Sequence, residues 1–260
     1  RVESESEHYV LKVFENPESR REIKNYEMLA SLCIPTLQIL KNTECALLLP
    51  NMENSSKYRL GCEADLSDVQ VAISIAKWYK ELHIKGQMYI RQNNPVLYDE
   101  TDKITMSNLD IVAHKTNTAE NELWHIIRKR FKEIRNRIDN LPRTLTYNDF
   151  YWTNLVVAQD KSSAMMLDFN LLGKGYAYGD IRNVTSSLST EAADAFLREY
   201  GEILNSKEEK KADKFIAPLV TLVSACEQNS FPGWAEPSLE ELKRGTILNS
   251  LIKWLDGFCK

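Results

Sequence analysis

The sequence predicts an α+β fold in two lobes, a small β-rich one over residues 1–52 and a larger, mainly helical one over residues 53–260. Three observations carry that expectation. Residues 8–14 are rich in β-branched and aromatic side chains with a rough period of two, apolar stripes recur at helical spacing from Leu66 onward, and one β-hairpin pattern between Asn154 and Leu167 is set inside that helical region. With 260 residues, 43% hydrophobic and 27% charged, the chain can bury a large core and is neither disordered nor fibrous.

The run HYVLKVF reads as a strand that carries Lys12, and the polar stretch Glu3–Glu7 before it as a hairpin turn. Asn16-Pro17 offers an N-cap followed by the residue best suited to the first helical position. Ile23, Tyr26, Met28, Leu29 and Leu32 follow at helical spacing, so a helix holds Glu22 in its second turn and stops before Pro35. Short strands fit Thr36–Leu40 and Cys45–Leu49, and the polar segment Pro50–Ser56 breaks the pattern at the lobe boundary. Beyond it, Val69, Ala72, Ile73, Ala76, Tyr79 and Leu82 stripe a helix over Leu66–His83. Ile127, Phe131, Ile134 and Ile138 stripe another over Asn121–Ile138. Apolar runs at Asn154–Ala158 and Ala164–Leu167 flank the polar turn Gln159–Ser163, and helical patterns return from Val184 to the end, broken at Phe231-Pro232-Gly233 and at Pro237. Gly173, Gly175 and Gly179 read as a mobile turn.

Lys plus Arg number 33 against 37 Asp plus Glu, a net charge of −4, which argues against a polyanion-binding surface. Arg128, Lys129, Arg130, Lys132, Arg135 and Arg137 read as the solvated face of a core helix, so no nucleic-acid partner is expected. The longest apolar candidate, Phe215–Cys226, is interrupted by Pro218, Thr221 and Ser224 and falls short of the ~20 residues of a membrane span, so no membrane partner is expected either. The five cysteines are widely spaced without a C-x-x-C pair, which suits reduced thiols in a cytoplasm. His83, His114 and His125 lack metal-ligand spacing and suit packing or solvent exposure. The chain opens at Arg1 without a Met, and residues preceding it are expected. Oligomeric state leaves no signature.

The chemistry gathers at the hairpin. Asp149 and Asn154 precede its first strand and Asp168 follows its second, so the turn brings two carboxylates and an amide oxygen to one end. Phosphoryl transfer with magnesium needs that set: one carboxylate takes the hydroxyl proton, while an Asn oxygen and a second carboxylate hold the cation against nucleotide phosphates. Tyr147-Asn148-Asp149-Phe150-Tyr151-Trp152-Thr153-Asn154 and Leu167-Asp168-Phe169-Asn170 resemble the catalytic loop and metal-binding turn of the aminoglycoside phosphotransferase and choline kinase group, small-molecule kinases with a protein-kinase-like fold. Lys12 resembles the group's phosphate-contacting strand lysine, Glu22 its helix partner, and Leu47–Met52 its adenine-facing hinge. Leu82-His83 is similar to its helix end, and Gly179-Asp180-Ile181-Arg182 to the segment whose aspartate braces the catalytic loop.

The resemblance implies an ATP-dependent kinase that transfers the γ-phosphate to a hydroxyl of an aminoglycoside-like or other small acceptor. Asp149 would be the base, and Asn154 and Asp168 the magnesium ligands. Lys12, Glu22, Leu49, Asn51 and Met52 would serve the nucleotide in the first lobe, with the catalytic loop and acceptor pocket in the second. A choline or amino-alcohol kinase is the alternative acceptor class, since Asn148 before the base is similar to choline kinases. Two departures keep a non-catalytic binding or scaffold protein open: Tyr147 stands where the group usually has His, and no glycine precedes Gly61. The first strand and nucleotide loop are therefore expected upstream of residue 1. Trp152 suits either stacking on a substrate or packing, and Glu227, Trp234 and Glu236 suit a cationic acceptor.

Overall fold

The computed structural model of the chain describes residues 2–3, 8–53, 55–202 and 206–257. The turn expected over Glu3–Glu7 falls, after its first residue, outside them, as does Cys259. Packing divides the chain into two compact units, Arg1–Tyr98 with Thr144–Glu202 and Asp99–Arg143 with Ile203–Lys260. Met52, read from the sequence as the end of a lobe, lies inside the first unit.

In the first unit β1 (Val2–Glu3), β2 (His8–Val13), β3 (Lys41–Asn42) and β4 (Ala46–Pro50) form an antiparallel sheet in the order β1-β2-β4-β3, with Lys12 opposite Leu47. Side chains alternate across a strand. Leu11 and Val13 are therefore exposed while Lys12 and Phe14 share the covered face. Helix α1 (Arg21–Ser31) buries Glu22, Ile23, Asn25, Tyr26 and Leu29. It begins later than Asn16-Pro17 implies, because the Ser19 amide and hydroxyl both donate to the Asn16 carbonyl and close a turn instead. The strand expected over Thr36–Leu40 is not formed; pairing there begins with the Leu40 amide on the Leu48 carbonyl at 2.9 Å and continues into β3.

A second antiparallel sheet joins β5 (Tyr58–Leu60), β7 (Leu155–Ala158) and β8 (Ala164–Met166), the last two being the expected hairpin. Helix α2 (Val69–Asn93) starts on the Asp68 side chain, which accepts from the Gln70 and Val71 amides, and runs past the expected end at His83 to a left-handed Asn94. Gly86 lets it do so, since a Cβ there would stand 2.6 Å from the Leu145 nitrogen of β6 (Thr144–Thr146). β6 pairs with β9 (Gly173–Gly175), so those two glycines form a strand rather than a mobile turn. A Cβ on Gly173 would lie 2.1 Å from the Tyr98 carbonyl, which only glycine tolerates. Helices α5 (Ala177–Ser187) and α6 (Thr190–Tyr200) complete the unit, with α6 packed on α2.

The second unit is helical among its described residues: α3 (Met106–Lys115), α4 (Glu122–Asp139), α7 (Ser206–Cys226), α8 (Glu236–Lys243) and α9 (Thr246–Asp256). Phe215 of α7 and Trp254 of α9 meet at 4.9 Å between ring centroids. Pro237 opens α8 instead of ending a helix, as a residue without an amide hydrogen does well in a first turn. Along α4, Arg128, Arg130 and Arg135 pair with Asp110, Glu133 and Asp139. No helix among the described residues is long and apolar enough to cross a membrane.

Candidate active site

The covered face of β2 aims Lys12 at α1, where its Nζ lies 2.9 and 2.7 Å from the two carboxylate oxygens of Glu22 and 3.1 Å from Asp168 Oδ1. Glu22 is 0% exposed, and burial raises its pKa from 4.5 to about 7 against the pull of Lys12. These groups border a cleft of about 300 Å³ whose wall also includes Leu49, Asn51, Met52 and Asn154. Seven of the eight residues singled out from the sequence thus line one cavity. The eighth, Asp149, is joined to it through Asn154, whose Nδ2 donates to Asp149 Oδ2 at 3.1 Å and to its carbonyl at 3.2 Å. Half-buried, Asp149 has its pKa raised by desolvation and by the charge of Asp168.

The loop that carries Asp149 is braced from below. Asp180, 1% exposed on α5, accepts from the Tyr147 and Asn148 amides, each at 2.8 Å. Asn148 needs that support, with φ at +66°. His83 proves to be a packed core residue, its Nε2 3.1 Å from Asp180 Oδ2 and its Nδ1 2.6 Å from the Tyr200 hydroxyl, while His114 and His125 are exposed. Trp152 is half-buried with its ring tilted against exposed Tyr151 at 5.7 Å. In the other unit, Glu227 is engaged by Lys103 at 2.8 Å, and Trp234 and Glu236 are exposed.

Several residues of the cleft and its supports escape sequence reasoning. Helix α1 grips the turn after β8 at successive residues: Asn25 Nδ2 donates to the Phe169 carbonyl at 2.7 Å, and Arg21 Nε, its guanidinium 4.6 Å from the Tyr98 ring, donates to the Asn170 carbonyl. Asn170 in turn donates to Asp168 Oδ1 at 2.6 Å. The available signal was Asn25 itself, a polar residue three positions after Glu22 on the face that the helix buries. Tyr26, Leu37, Leu60 and Thr153 also line the cleft, and nothing in their local pattern announced it.

Among the described residues no group of three or more His, Cys, Asp or Glu gathers as a metal site. Asn154 and Asp168 nonetheless border one cleft, and Asn154 spends its amide hydrogens on Asp149, leaving Oδ1 available. Two hard oxygen donors at the edge of one cleft fit magnesium, which commonly keeps water in several of its positions.

No protein-family model and no curated protein sequence matches the chain; its likeness to known proteins lies in the structure. A choline kinase from Streptococcus pneumoniae superposes with a TM-score of 0.64 at 11% identity, over 94% of this chain and 87% of that one. An ADP-bound aminoglycoside phosphotransferase gives 0.61 at 16% identity over 93% and 90%, and a choline kinase from Cryptosporidium parvum 0.60 at 14% over 96% and 85%. The α+β fold is the protein-kinase-like fold shared by those small-molecule kinases.

Proposed function

We propose that this chain, built on the fold of small-molecule kinases, is an ATP-dependent phosphotransferase that moves the γ-phosphate to a hydroxyl of a small acceptor. One observation carries the reading: the Lys12 ammonium is held between Glu22 and Asp168 on the wall of a cleft that Asn154 also borders. A fixed cation opposite two oxygen donors suits polyphosphate, and neither a surface salt bridge nor a turn aspartate accounts for all three groups at once.

In this reading Leu49, Asn51 and Met52 face the base of the nucleotide and Lys12 neutralises phosphate charge, oriented by Glu22. Magnesium, when bound, supplies further charge neutralisation on the phosphates, with Asn154 and Asp168 as its holders. Asp149 accepts the acceptor's hydroxyl proton; its raised pKa brings it closer to the basicity that removes a proton near neutral pH. Asn154 keeps that carboxylate oriented, and Asp180 fixes the backbone under it. The resembling structures include choline, ethanolamine and aminoglycoside kinases, so the acceptor is sought among amino alcohols, aminoglycosides and sugars.

A coupled ADP-release assay over those three acceptor classes tests the proposal. Release that depends on one acceptor is expected, with Asp149→Asn slowing turnover by ~10²- to 10⁴-fold at an unchanged melting temperature. Turnover undiminished in Asp149→Asn would remove the base, and failure of millimolar ATP with magnesium to raise the melting temperature would favour a non-catalytic binding protein.

A further inference from the structure

The proposed chemistry gives no task to the hydroxyl of Tyr147, yet that hydroxyl is placed with care. Tyr147 is 0% exposed, its ring edge-on to Trp78 and Phe169 at 5.8 Å each and to Tyr79 at 6.4 Å. Phenylalanine would satisfy that packing equally well. What a phenol adds is a hydrogen bond donated to the Leu167 carbonyl.

That carbonyl leads to the oxygen donors of the cleft. Leu167 immediately precedes Asp168, whose φ of +54° lies in the left-handed region, a conformation that a non-glycine residue keeps only when its surroundings impose it. Asn154 carries two amide hydrogens on one side and a carbonyl oxygen on the other. With the N–H side committed to Asp149, Oδ1 is the atom left for the cleft.

We infer that Tyr147 is a positioning residue for the divalent cation: its hydroxyl, bonded to the Leu167 carbonyl, fixes the Asp168 carboxylate where it meets Asn154 Oδ1 across the cleft. The inference rests on the kinase reading. It predicts that Tyr147 acts on the cation and leaves the contacts of the nucleotide base alone, since Leu49, Asn51 and Met52 lie on other elements.

Calorimetric titration of ADP into the full chain, at a series of magnesium concentrations and without magnesium, separates these roles. In Tyr147→Phe the magnesium concentration for half-maximal tightening of ADP is expected to rise about 10- to 100-fold, the usual loss when a group supporting a metal ligand is removed. Magnesium-free ADP affinity is expected to stay as in the wild type, and a thermal melt establishes that the variant is folded. An unchanged magnesium midpoint would overturn the inference, as would an equal loss of ADP affinity with and without magnesium, which would mark a packing role. Wild-type protein whose ADP binding ignores magnesium, or is absent, would sink the kinase reading and the role of Tyr147 together.

Discussion

Glu22 faces two demands that pull apart: it has no exposure to water, and it must stay charged to hold Lys12. Its pKa, raised by burial from 4.5 to about 7, means that near-neutral acid already protonates it. Activity is therefore expected to fall as the pH drops through about 7, because Lys12 then loses one of its two anchoring anions. A pH profile of kcat/KM checks this: in Glu22→Gln the acid limb should move to lower pH, where Asp149 remains to titrate, and an unmoved limb would assign it elsewhere. Stability carries the opposite sign. The folded form binds the proton more tightly than the unfolded chain, so this carboxyl's contribution is fully present below about pH 4.5 and is lost as the pH rises to about 7, by at most about 3 kcal/mol. Melts of wild type and Glu22→Gln should accordingly diverge as the pH is raised across that window, with the variant gaining on the wild type. A buried carboxylate is legible in sequence only as a candidate; Glu22 gained meaning from its resemblance to a kinase helix glutamate, whereas its desolvation depends on α1 meeting the segment around Phe169, which no local pattern states.

Among the elements, α2 and β6 meet closely enough to set the position of the loop that begins at Tyr147. A Cβ on Gly86 would come 2.6 Å from the Leu145 nitrogen and 2.8 Å from Thr144 Oγ1, and backbone cannot swing aside as a side chain can. Gly86→Ala is expected to cost about 1–3 kcal/mol in urea unfolding and, on the proposed function, to slow turnover as well, because β6 runs straight into the loop that carries Asp149. A variant as stable and as active as the wild type would show that the two elements can slide apart freely. Elements with strong periodicity were legible: the β7–β8 hairpin and α4 stand within a residue of their expected limits. Those specified by backbone contacts were not. Gly173–Gly175 has almost no side chains to pattern, and its strand is dictated by the Tyr98 carbonyl and by pairing with β6. The start of α1 was misplaced because Asn16 uses its carbonyl to close a turn, and Arg20, at the true N-cap, makes no side-chain cap.

Taken whole, the chain passes from one compact unit to the other three times, at 98/99, 143/144 and 202/203. The lobe boundary read at Met52 followed a change in local composition, whereas compactness here depends on pairings such as Leu60 with Val156 that composition does not record. For the same reason the order of the site residues was legible while the cleft wall from Leu37 and Leu60 was not. A fragment ending at Arg143 is expected to show no cooperative near-ultraviolet melt, since it leaves β5 without β7 and α2 without α6 and β6. A sharp transition in that fragment would mean that its helices suffice. During synthesis the same topology imposes a waiting period: β5 emerges from the ribosome long before the strand it must pair with, and the nascent chain carries an open sheet edge until β7 follows.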